Sequence, residues 1–188
     1  MAGLARVLAA IAFLAAGADA LAGGDDRVSL VPWRVLDPAT AVDSPLVLYW
    51  VPASGDELRR SPMLTSNELT LFSSRCVAMR VVRFNDSVRL TSLGVGPDVP
   101  MAVLADRDGN VMGRVGPEDG VLLVHEVEDL VRKELDRREA AADAMLDRAR
   151  ELDSAAAMEA YETVWEARCL CPRQARDAKR AMRKLARK

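Results

Sequence analysis

Leu46-Val47-Leu48-Tyr49-Trp50 is entered through Asp43-Ser44-Pro45 and left through Val51-Pro52-Ala53-Ser54, and the fold turns on this stretch. Five consecutive apolar residues leave no polar face, so the run suits a strand buried on both sides, as in a central parallel sheet. Cys76-Val77-Ala78-Met79-Arg80-Val81-Val82 is a second such run, interrupted only by Arg80. Between them lies Asp56 to Ser74, broken by Pro62, which suits a crossover with one or two short helices. Strand, helical crossover and strand make a right-handed βαβ unit with parallel strands.

Downstream, Met101 to Ala105 and Val111 to Val115 flank Asp106-Arg107-Asp108-Gly109-Asn110. The Asp-Gly pair is a strong hairpin turn signal. Gly116-Pro117-Glu118-Asp119-Gly120 then punctuates the chain. Leu123, Val127, Leu130, Val131 and Leu135 follow at three-and-four spacing, which predicts a long amphipathic helix. The order is βαβ, loop, ββ, α.

In that order, the segment from Pro45 to Leu135 resembles a thioredoxin-fold domain. The resemblance rests on the buried strand ending in Tyr49-Trp50, on Leu93-Gly94-Val95-Gly96-Pro97-Asp98-Val99-Pro100, and on the hairpin with Asp108-Gly109-Asn110 and the following Gly116. It implies an α/β fold: a thioredoxin-like three-layer domain with a central mixed sheet, followed here by a C-terminal α-helical extension. It also implies a cis peptide bond at Val99–Pro100, a geometry rare enough to be a specific expectation. In the oxidoreductases of that family the groove beside this proline holds an extended substrate backbone. The corresponding binding groove here would be formed by Pro52, Ala53, Ser54, Val99 and Pro100.

The departure from the family is as informative as the match. Its oxidoreductases carry Cys-x-x-Cys just after the first central strand, where a helix N-terminus lowers the thiol pKa. At that spacing this chain has Ser54 and Glu57. Neither can attack or resolve a disulfide, so thiol exchange and peroxidase chemistry are excluded at that position. Ser54-Gly55-Asp56-Glu57 reads instead as a helix cap, with a carboxylate three residues after a capping hydroxyl. A serine nucleophile would need a base, and the only histidine, His125, belongs to the long helix.

Three cysteines remain. Cys76 opens an apolar strand and reads as a small buried hydrophobe. Cys169-Leu170-Cys171-Pro172 sits at a turn, because Pro172 disfavours helix at Cys171. The alternatives for this pair are a strained, readily reduced Cys169–Cys171 ring, pairing with another chain or with Cys76, or idle thiols. Two thiols and one distant imidazole make an incomplete metal site, so neither metal nor cofactor is expected.

The rest of the chain sets the context. Of the 188 residues, 50% are hydrophobic and 29% charged, a globular composition, and aromatics at 4% make the core aliphatic. Arg6, the apolar run Val7 to Ala16 and Ala18-Asp19-Ala20 read as a secretory signal over residues 1–20, too short to span a bilayer. An extracytoplasmic protein, periplasmic or secreted, is the expectation. The domain over 25–138 would be followed by helices over 139–188, where Ala140 to Leu152 would connect with Met145, Leu146, Ala149 and Leu152 facing inward. Ala157 to Trp165 and the helix after Pro172 are similar to a single tetratricopeptide-type helix pair, too few for a solenoid of its own.

Charge is unevenly placed. The formal net charge is −2, yet residues 116–162 carry 14 acidic and 6 basic side chains, whereas 173–188 carry 8 basic side chains and Asp177. The basic tail reads first as the complement of the acidic helices, and second as a weak contact for an anionic surface through Arg173 to Lys188. It lacks aromatics for base stacking, and nucleic acid is not expected. The reading is therefore a redox-inactive binding or scaffolding module for a protein or peptide partner, with no catalytic residues. The alternative is an atypical thiol–disulfide oxidoreductase using Cys169 and Cys171. Oligomeric state is not legible in the sequence.

Overall fold

The computed structural model describes residues 30–37 and 42–187. The expected signal over residues 1–20 lies outside them. The described chain is α/β, with a five-stranded mixed sheet and a C-terminal helical region. The strands are β1 (Arg34–Val35), β2 (Leu46–Val51), β3 (Val77–Val81), β4 (Met101–Asp106) and β5 (Val111–Val115). Their spatial order is β1-β3-β2-β4-β5. β3 runs parallel to both β1 and β2, while β4 is antiparallel to β2 and β5 antiparallel to β4. All six residues of β2 are buried, as a continuous apolar run requires of a central strand.

Successive β2 residues enter different cores. Leu46, Leu48 and Trp50 pack with Met79, Leu104, Val127 and Val131, whereas Val47, Tyr49 and Val51 pack with Val82, Leu93, Val95 and Val103. The crossover holds α1 (Gly55–Arg60), a 3-10 turn at Pro62–Leu64 and α2 (Asn67–Ser73). Pro62 separates the helices, as its missing N–H dictates. Trp33 Nε1 donates to the Met63 carbonyl at 2.8 Å and its ring meets Trp50 at 5.4 Å, tying the entry of the chain to the crossover.

The segment before β4, read from sequence as loop, contains α3 (Ser87–Ser92), capped by Asp86 through the Arg89 N–H. Gly94 follows in the left-handed region at φ +62°, and Arg114 of β5 donates to the Leu93 carbonyl at 2.9 Å, pinning that turn. The Val99–Pro100 peptide is cis. In the β4–β5 hairpin, Gly109 takes φ +85° and Asp106 Oδ1 accepts from the Asp108 and Asn110 amides at 2.9 and 2.8 Å.

The helical region corrects one expectation of continuity. α4 (Val124–Ala149) is a single helix of 26 residues, so the boundary expected at 138/139 falls inside it and Ala140 to Leu152 is no separate connector. Leu146 and Ala149 are buried and Met145 is half-buried, but Leu152, past the helix end, is 49% exposed. Asp153 caps α5 (Ser154–Glu166), and Pro172 occupies the first turn of α6 (Pro172–Leu185). Among the described residues, no helix is long and apolar enough to cross a membrane.

Candidate functional site

β1, β2 and β3 point the same way and end together at Val35, Val51 and Val81. Off these carboxyl ends, where open α/β sheets place their ligands, lies a cavity of about 220 Å³. Pro52, Ser54, Gly55 and Leu58 line one side, and Val35, Val81, Arg83, Phe84 and Asn85 the other. Two lining side chains are large, apolar and open to solvent: Phe84 at 53% and Val35 at 39%. The chain holds only three phenylalanines, so an exposed one beside an apolar cavity is the kind of feature that marks a contact surface.

The local sequence builds this rim. Ser54 is the N-cap of α1 and its hydroxyl accepts from the Glu57 amide at 3.1 Å, as its spacing predicts. The reciprocal half of the capping box is shifted by one residue, because the Glu57 carboxylate accepts from the Ala53 amide at 2.6 Å rather than from Ser54. Burial pushes the Glu57 carboxyl above its ordinary pKa, and the Ala53 amide and the Trp50 indole offset only part of that rise. The Trp50 indole nitrogen is buried without a partner of good hydrogen-bonding geometry. Ser54 and Glu57 thus act together as a helix cap, a capping hydroxyl and a carboxylate that accepts from Ala53.

The residues expected to form the groove are only partly brought together. Register pairs Val51 with Met101, so Pro52 and Pro100 sit at the same end of neighbouring strands. Pro52 and Ser54 line the cavity, and Ala53 is exposed beside it. Val99 and Pro100 do not line it. Pro100 is buried, and Val99 is half-buried and packs with Met101 against the second core. The opposite wall comes from Val81, Arg83, Phe84 and Asn85 and from Val35, which sequence reading did not select. The available signal was Arg83-Phe84-Asn85, an aromatic placed in the turn directly after an apolar strand.

For the cysteines, the structure takes the bridge to Cys76. Cys76 and Cys169 form a disulfide with Cα atoms 5.8 Å apart across 93 positions of sequence, so no Cys169–Cys171 ring is present. Cys76 precedes β3 rather than opening it, half-buried and with φ +56°, so it is a crosslink and not a packed apolar residue. Cys171 is a buried thiol whose pKa burial pushes up, the opposite of what activates a thiol nucleophile.

His125 is exposed and lines a separate polar depression with Arg114, Glu126, Asp129 and Lys133 between β5 and α4. Ser54 lines the strand-end cavity instead, so serine and imidazole do not meet. Among the described residues, no group of three or more His, Cys, Asp or Glu is placed to hold a metal ion. No protein-family model, curated protein or solved structure matches the chain.

Proposed function

We propose that this chain is an exported, thioredoxin-like binding module that engages an extended segment of another protein at the strand-end cavity and performs no thiol–disulfide chemistry there. The observation that carries the proposal is the apolar cavity itself. It sits at the carboxyl ends of three parallel strands, and Phe84 and Val35 stand exposed at its edge. Thioredoxin-like topology is supported by the strand order, by the antiparallel β4–β5 pair at one side of the sheet and by the cis Val99–Pro100 bond ahead of β4. Export is supported by the composition of residues 1–20 and by the Cys76–Cys169 disulfide, since such bridges persist in oxidising compartments.

The test is selection of random displayed peptides on the immobilised protein, followed by affinity measurement on variants. Peptides with apolar side chains should be enriched, and Phe84→Asp should weaken them by at least about tenfold, the scale of losing one aromatic anchor. The double variant Cys76→Ala with Cys169→Ala, assayed where it remains folded, should bind as the parent does. Failure to enrich any peptide, or binding indifferent to both Phe84→Asp and Leu58→Arg, would overturn the proposal.

A further inference from the structure

α6 presents a second surface, chemically unlike the cavity. On a helix of 3.6 residues per turn, Arg173, Arg176, Lys179, Arg180, Arg183 and Lys184 all fall within an arc of about 140°, and Arg187 follows in the turn past the helix end. All seven are exposed. Ala175 and Ala178 on the opposite side are buried, with Ala181, Met182 and Leu185 packed against the same core. The basic tail is therefore not folded onto the acidic helices. Among the described residues, its one ion pair to another helix joins Arg173 to Asp143 at 3.0 Å, and Arg180 pairs with Asp177 of its own helix at 3.5 Å. Lys179 lies 4.5 Å from the centre of the Trp165 ring. Arg176, Arg183, Lys184 and Arg187 make no ion pair among the described residues.

The acidic side chains of α4 are largely committed elsewhere. Glu134 holds Arg137 and Arg138, Asp129 holds Arg132, Asp147 holds Arg150, and Glu139 holds Arg75. A stripe of like charges this dense repels itself and gains from any anion that bridges it.

We propose that this stripe is a docking surface for a linear polyanion bearing phosphate groups. Arg176, Arg180 and Arg183 lie along one line of the helix, about 4.5 to 6 Å apart in rise, which suits a chain with a charge at every repeat. Arginine predominates over lysine, and its planar fork matches phosphate oxygens in pairs. A lipid surface fits less well. Interfacial helices flank their cations with large apolar side chains that enter the acyl region, whereas the apolar face of α6 is used against the protein and none of its large hydrophobics is exposed. No aromatic residue lies on the stripe, so it would read the charged backbone alone.

Titration of the full chain with linear inorganic polyphosphate tests this. Binding should weaken steeply as salt rises. Replacing Arg176, Arg180 and Arg183 by Gln should lower affinity at low salt at least about tenfold and flatten the salt slope by about two to three. Helical content should be unchanged, because all three side chains are exposed. Absence of binding at low salt, or binding that the triple variant leaves intact, would overturn the proposal. So would equal affinity for polyglutamate of the same charge, or tighter binding per phosphate to phosphatidylglycerol vesicles than to polyphosphate.

Discussion

The sheet and the C-terminal helices are held in different ways. In the sheet, residues far apart in sequence are joined through backbone ladders, and β2 buries every side chain it has. In the helical region, α4, α5 and α6 pack on their neighbours in the chain, and a few particular side chains fasten α6 back to the sheet. These are the Cys76–Cys169 bridge and Arg75, whose guanidinium donates to both Glu139 and the Leu170 carbonyl. The contrast teaches that the sheet rests on many interchangeable apolar contacts, while the tie between the sheet and the turn before α6 rests on a few particular ones.

Breaking that fastening has the largest expected effect. Cys169→Ser opens a crosslink spanning 93 positions and should cost about 2–5 kcal/mol. Hydrogen exchange should accelerate first in α5 and α6 and least in β2 and β4. Uniform acceleration through the sheet would show that the two regions are not held differently.

A smaller effect tests the seam between them. A methyl group added at Gly113 of β5 would lie 2.5 Å from Leu130 Cδ1 of α4, so the leucine side chain would have to shift to admit it. Gly113→Ala should lower stability by about 1–3 kcal/mol in urea unfolding, as overpacking does. No loss would mean that Leu130 can turn away and that the seam is looser than its geometry.

The smallest effect distinguishes two carboxylates, one in each region. Burial raises the pKa of Glu57, so the folded state binds that proton more tightly than the unfolded chain does. Its contribution is present on the acid side and is lost as pH rises through the folded-state pKa. Glu134 is also buried, but hydrogen bonds from Arg137 and Arg138 outweigh that burial and hold its carboxyl below the ordinary range. Its contribution is present at neutral pH and is lost as pH falls through the folded-state pKa. Urea midpoints followed from pH 3 to pH 8 should therefore lose opposite slopes in Glu57→Gln and Glu134→Gln. Slopes of the same sign would contradict these environments.

Most of the sheet was legible because its signals are local. The apolar runs at Leu46 and Val77, the Asp108-Gly109 turn and the Ser54 cap each announce themselves within a few residues. β1 escaped because two residues carry no period, and α3 because its six residues bury no side chain, although Asp86 ahead of them is a fair cap. Proximity in space was not legible. Nothing near Cys169 in sequence distinguishes Cys76 from Cys171 as its partner, and the choice is made by where the turn before α6 meets the turn before β3. The groove was half legible for the same reason. Pro52 and Ser54 follow the central strand directly, whereas Val35 and Phe84 reach the cavity only because β1 and β3 lie beside it.

The unbroken length of α4 has a consequence for how the molecule comes apart. At 26 residues it runs about 39 Å, with Val127, Val131 and Leu135 set under the sheet and Ala142, Leu146 and Ala149 under the last two helices. All six belong to one continuous apolar cluster. A chain severed between residues 138 and 139 would leave each fragment with part of that helix and an uncovered apolar flank. What sequence reads as a domain with an appendage shares one helix and one apolar cluster, so the two cannot be parted at a linker.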